Sequence, residues 1–197
     1  MRARPSASQD WTAEIGCTNR NLTDSTDPAS KVIPSAYGRL VSQIAPHRSG
    51  FSLCWRESVR WADVDIYGHV NNVAYYSYVD SAVNGWLMRA ASADLRRLPS
   101  IGVVAETSCR YFSEIDFPAE IDVGLALERM GTSSITYAFA VFIAGRDTAC
   151  ASGRFVHVYV DDINRRPTPI PEVIRTAVSS LPTTPPNQLD PSGPVES

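Results

Sequence analysis

Residues 73–91 constrain the fold of this chain more than any other part of it. The stretch has no proline, and its apolar residues lie on more than one helical line. Val73, Tyr76, Val79, Val83 and Trp86 follow one line, and Tyr75, Tyr78, Ala82 and Leu87 widen it. A helix apolar over most of its circumference is buried rather than laid on a surface. Asn71 or Asn72 stands where a cap belongs, since an Asn side chain accepts from the unpaired N–H groups of a first helical turn. The rest of the fold must therefore enclose this helix.

The flanking patterns supply the enclosure. Residues 51–61 read as a strand, with Leu53, Trp55 and Val59 spaced by polar residues. After the helix come runs at 103–112, 120–129, 134–143 and 148–160, separated by turns such as Met130-Gly131-Thr132-Ser133 and Gly145-Arg146-Asp147. In the run 120–129, Ile121, Val123, Leu125 and Leu127 alternate with Glu120, Asp122 and Glu128. Ile135, Tyr137, Phe139, Val141 and Ile143 keep one phase in the next, and this period of two marks strands with one buried face. Residues 171–181 make a short terminal helix with Pro171 in its first turn. One helix and a run of antiparallel strands is an α+β arrangement. A single sheet cannot both enclose the helix and close its own edges, so paired sheets in a homodimer, or a homotetramer built from it, are expected.

Length and composition set the limits. The 197 residues suit one domain with tails. Residues 1–49 are rich in Ser, Thr, Asn, Asp, Pro and Arg without a sustained period, and read as a disordered arm. Residues 182–197 hold five prolines and read as an extended tail. The folded unit is then 50–181. A net charge of −3 and the absence of a basic helix-turn-helix pattern in the arm argue against nucleic acid. No apolar run approaches membrane-spanning length, and the amino terminus has no apolar secretory core. The four cysteines are scattered without a C-x-x-C pair, which predicts free thiols in a reducing cytoplasm.

The chemistry-bearing segment joins the first strand to the helix: Asp63-Val64-Asp65-Ile66-Tyr67-Gly68-His69-Val70-Asn71-Asn72. A helix N-terminus offers unpaired N–H groups and partial positive charge, which suit an anion or a developing oxyanion. A turn ahead of it can fold Asp65 toward that terminus or toward a neighbouring protomer. A carboxylate beside an oxyanion site suffices to hydrolyse an activated acyl group. The competing readings are plain turn chemistry for Asp-x-x-Gly and a metal site made by Asp63 and Asp65. With one histidine nearby, no metal is expected.

This segment resembles the signature of the 4-hydroxybenzoyl-CoA thioesterase family. It is also similar to that of the plant fatty acyl-ACP thioesterases, which Asp65, His69, Val70, Asn71 and Asn72 match, while Tyr67 stands where the plant pattern has Asn. Further segments match in the same order: Val104-Ala105-Glu106 through Tyr111, Gly131 through Ile135, and Arg166 through Glu172. The resemblance implies a hot-dog fold, a long helix wrapped by an antiparallel sheet, dimeric and with active sites at the dimer interface. It implies an acyl-CoA thioesterase in which Asp65 is nucleophile or general base and the backbone N–H of Asn72 polarises the thioester carbonyl. His69 is a secondary catalytic candidate, orienting water or Asp65. Gly68 would let the turn approach the substrate, Tyr75, Tyr78, Val79 and Trp86 would line an acyl pocket, and Ser133 and Ser134 would line the approach.

Arg129, Arg146 and Arg154 are candidates for the CoA phosphates. No cofactor is expected beyond the CoA thioester as substrate. An acyl-carrier-protein thioesterase, a hot-dog dehydratase or hydratase, and a non-catalytic acyl-CoA-binding protein are the alternatives.

Overall fold

The computed structural model describes residues 45–183. Five strands, β1 (Leu53–Ser58), β2 (Ser100–Tyr111), β3 (Glu120–Met130), β4 (Ser134–Ile143) and β5 (Ala151–Asp161), form one antiparallel sheet in the order β1-β3-β4-β5-β2. The helix α1 (Asn72–Ala90) packs on one face, and a short helix α2 (Glu172–Val178) joins it there. This is the hot-dog arrangement.

The alternation of the strands builds the core. Ile121, Val123 and Leu125 of β3, Ile135, Tyr137, Phe139 and Val141 of β4, and Phe155 of β5 meet Tyr75, Tyr78, Val79, Ala82, Val83, Trp86 and Leu87 of α1. Fully burying a Val or Leu of this set contributes roughly 1.5–3 kcal/mol. Gly85 is the point of closest approach, since a Cβ there would meet the Trp55 ring at 2.5 Å. The helix is not enclosed all round, however. Ser77, Asp80 and Ser81 interrupt the apolar lines, and with Val73 and Met88, both apolar yet exposed, they form an open stripe along it.

The far face of the sheet is covered too, which alternation alone did not predict for Asp122. Residues 46–51 fold back over it, starting earlier than the boundary drawn at residue 50. Phe51 lies on Gly124, whose hydrogen leaves the room that a Cβ would fill, and meets Phe142 edge-on. Arg48 and Arg56 converge on the Asp122 carboxylate, which is only 5% exposed. A buried carboxylate needs such partners. At the other end, Leu127 N–H donates to the Pro182 carbonyl. The expectations for residues 1–44 and 184–197 lie outside the described residues.

Cys109 and Cys150 are free. Cys54 is disulfide-bonded, which corrects the expectation of free thiols throughout. Among the described residues, no helix is long and apolar enough to cross a membrane.

Candidate active site

The two aspartates of the connecting segment have opposite fates. Asp63 closes a short 3-10 turn (Trp61–Asp63) and is 6% exposed. Its carboxylate accepts from the Arg60 backbone N–H at 2.8 Å, from the Arg60 guanidinium, and from the Tyr78 hydroxyl at 2.7 Å. Burial raises its pKa, but these hydrogen bonds from Arg60 and Tyr78 outweigh it and hold the carboxyl below its ordinary value. The Asp63 carbonyl also accepts from Asn71 N–H at 2.8 Å, tying the turn to the start of α1. Asp63 is thus committed to structure.

Asp65 begins a tight reversal. Val64 and Val70 pair as an antiparallel bridge. Asp65 N–H donates to the His69 carbonyl at 3.0 Å, and Gly68 N–H to the Asp65 carbonyl at 3.1 Å. Gly68 takes φ +90°, in the left-handed region that side chains disfavour, with open space beyond it. One carboxylate oxygen of Asp65 accepts from Tyr67 N–H at 2.8 Å. The turn reading is therefore correct as far as it goes, and it fixes the carboxylate in place. The side chain still lines a cavity of about 600 Å³.

That cavity opens at the N-terminus of α1. Its wall consists of Asp65, Tyr67, His69, Val70, Asn72, Tyr75, Tyr111, Ser113 and Glu114. Asn71 is the cap, its side chain accepting from Val73 N–H. Asn72 is the first helical residue, and an N–H at that position has no acceptor within its own helix. Tyr75 packs edge-on against Tyr111 at 5.0 Å, and the Tyr111 hydroxyl donates to the Asn72 carbonyl. Burial pushes both phenols above their ordinary range and the nearby Cys109 thiol up to about 11. None of the three is ionised near neutrality. His69 Nε2 lies 3.4 Å from a Glu114 carboxylate oxygen and 3.8 Å from Asp116.

The fold thus brings Asp65, His69, Asn72 and Tyr75 of the expected set to one cavity, with Gly68 in the turn that shapes it. Ser133 and Ser134 are elsewhere: they sit at the β3–β4 turn, at the end of the sheet opposite Tyr111, where the Ser133 carbonyl accepts from Tyr159 N–H. Tyr78, Val79 and Trp86 belong to the core rather than the cavity wall. The arginine candidates do not line it either. Arg154 pairs with Glu128 at 2.8 Å, Arg129 lies at the far end of β3, and Arg146 is on the β4–β5 turn. Sequence reasoning missed Tyr111, Ser113 and Glu114. Glu114 carried one readable signal, a carboxylate in the turn directly after a strand matching the family pattern. Among the described residues no cluster of three or more His, Cys, Asp or Glu could hold a metal.

The family model described as the thioesterase-like superfamily matches residues 59–178. This grouping is broader than the 4-hydroxybenzoyl-CoA family whose signature the segment resembles. Among solved structures, the PA5185 protein from Pseudomonas aeruginosa strain PAO1 is 43% identical, with a TM-score of 0.68 covering 71% of this chain and 97% of the other. The PA2801 protein from the same species is 31% identical, covers 64% and 96%, and has a TM-score of 0.59. The 1,4-dihydroxy-2-naphthoyl-CoA thioesterase Slr0204 from Synechocystis is 17% identical, covers 65% and 96% with a TM-score of 0.60, and shares the fold. No curated protein matches the chain.

Proposed function

The chain belongs to the thioesterase-like superfamily, and from that premise we propose that it is an acyl-CoA thioesterase, hydrolysing an acyl thioester to a free acid and the CoA thiol. One observation carries this reading: Asp65 and Asn72, the first residue of α1, line the same cavity. A thioester carbonyl placed there meets an oxyanion donor and a carboxylate together. A preorganised donor of this kind contributes about 3–4 kcal/mol to transition-state stabilisation. Asp65 attacks the carbonyl carbon or deprotonates water, and the thiolate departs with little protonation because thiols are much stronger acids than alcohols. The aromatic wall of Tyr67, Tyr75 and Tyr111 receives the acyl group.

The active unit in this reading is a dimer. β2 is one of the two outer strands of the sheet, and residues 103–106 on it are exposed. An open edge of 12 residues is a template for pairing. Two copies paired antiparallel about a two-fold axis set the Ser100 end of one β2 beside the Tyr111 end of the other. The turn holding Ser133 and Ser134 in one copy then approaches the cavity of its partner, the route by which these serines would reach substrate.

The test is thiol release from a panel of acyl-CoAs, acetyl to palmitoyl plus benzoyl, with a no-substrate control for the protein's own thiols. Turnover of one or more supports the reading and gives the acyl preference. Turnover of acyl-carrier-protein thioesters alone would move the substrate to the carrier, and no turnover of either would contradict the hydrolase.

A further inference from the structure

We infer that Glu114 is a positioning residue, holding His69 so that the other ring nitrogen, Nδ1, takes a proton from water during hydrolysis; this rests on the thioesterase reading above.

The geometry comes from two segments locked together. Val70 N–H donates to the Ile115 carbonyl at 2.8 Å, and His69 and Asp116 form an antiparallel bridge. The His69 ring therefore stands across from the Glu114–Asp116 segment by backbone pairing rather than by chance side-chain contact. Glu114 is at 3.4 Å from Nε2 and lines the cavity with His69. Asp116 is farther, at 3.8 Å, and its side chain is 77% exposed. A carboxylate facing Nε2 favours the tautomer with its proton there, which leaves the lone pair on Nδ1. Distances of this kind tighten when substrate fills a site.

The other groups around His69 leave it this task. Asp65 and Tyr67 share its turn, Tyr111 comes from β2 and Tyr75 from α1. Tyr75 and Tyr111 stay protonated, and the role of His69 follows from the route in which Asp65 attacks the carbonyl carbon. The two steps divide accordingly. First, an Asp65 oxygen bonds to the acyl carbon, the C–S bond breaks, and its electron pair leaves with the thiolate. Second, a water oxygen bonds to that carbon, its proton goes to His69 Nδ1, and the acyl–Asp65 bond breaks to restore the carboxylate. The imidazolium then returns the proton to the thiolate or to solvent.

The experiment compares wild-type, Glu114→Gln, His69→Gln and the double variant as full-length proteins. The substrate is whichever acyl-CoA of the panel the wild-type turns over fastest. Thermal melting checks that each is folded, and the half-exposed Glu114 side chain makes the Gln variant a mild change. Glu114→Gln should lower the steady-state rate about tenfold or more, after a burst of about one thiol per active site from the unaffected first step. On the His69→Gln background the same change should do nothing further. A steady rate within about twofold of wild-type, or an equal loss on both backgrounds, would overturn the role. A fall without a burst would place Glu114 before acylation and overturn it too. Failure of the wild-type to release thiol would instead remove the hydrolase reading itself, and this inference with it.

Discussion

Removing one hydroxyl, in Tyr78→Phe, should measure how firmly the connecting segment is held. The phenol donates at 2.7 Å to a carboxylate that is 6% exposed, so the bond lost is a buried, charge-assisted one. Such bonds contribute about 1.5–3 kcal/mol. Asp63 would keep Arg60, but that side chain is 67% exposed and its ion pair is screened. A domain of this size loses roughly 2–4 °C per kcal/mol, so the melting temperature at pH 7 should fall by roughly 3–12 °C. The effect has a pH signature. Because the folded-state pKa of Asp63 is depressed, its stabilisation is complete above the unfolded value of about 3.9. It is lost as pH falls through the lower folded value. The gap between wild-type and variant should therefore hold from neutrality to about pH 4 and narrow below it. The assay is thermal unfolding by circular dichroism across that range. A variant melting within about 1 °C of wild-type at pH 7 would refute the assignment of Asp63 as the structural carboxylate.

Three further outcomes are expected. Gly153→Ala should destabilise by about 1–3 kcal/mol or more, because its Cβ would lie 1.8 Å from the Ser108 carbonyl oxygen; urea unfolding with an unchanged midpoint would contradict the β2–β5 register. Burial pushes His157 down to about 4 from its ordinary 6.5, so the protein should lose up to about 3 kcal/mol as pH falls from about 6.5 to about 4, and the slope should flatten in a His157→Leu variant. Ala105→Pro on the exposed edge of β2 should convert a dimer to monomers in sedimentation, since proline removes an edge donor; a dimer that survives would place the interface elsewhere.

How much of this was legible beforehand depended on whether the determinant was local. The helix, read as 73–91, and the strands β3 and β4 were readable because their periods of 3.6 and 2 come from burial against neighbours, while β1, β2 and β5 were read as apolar runs between turns, with looser bounds. The strand 134–143 emerged with the bounds read from the sequence. Gly68 was readable as a turn residue and the cap as Asn71 or Asn72 from local backbone chemistry, and the structure assigns it to Asn71. Asp65 was set apart from Asp63 only by the family resemblance, because what separates them physically is the Tyr78 hydroxyl, which comes from the following helix. Glu114 and Tyr111 reach the cavity only through the strand pairing that sets residues 111–116 beside the turn. Asp122 looked solvated because alternation describes one sheet face and is silent about a segment folding over the other.

The central claim, hydrolysis by Asp65, is tested most directly by thiol release from acyl-CoA with wild-type and folded Asp65→Asn protein. The account predicts a rate lower by about a hundredfold or more in the variant, equivalent to about 2.7 kcal/mol in the barrier, with an unchanged melting temperature. Hydrolysis that persists at the wild-type rate in Asp65→Asn would contradict it.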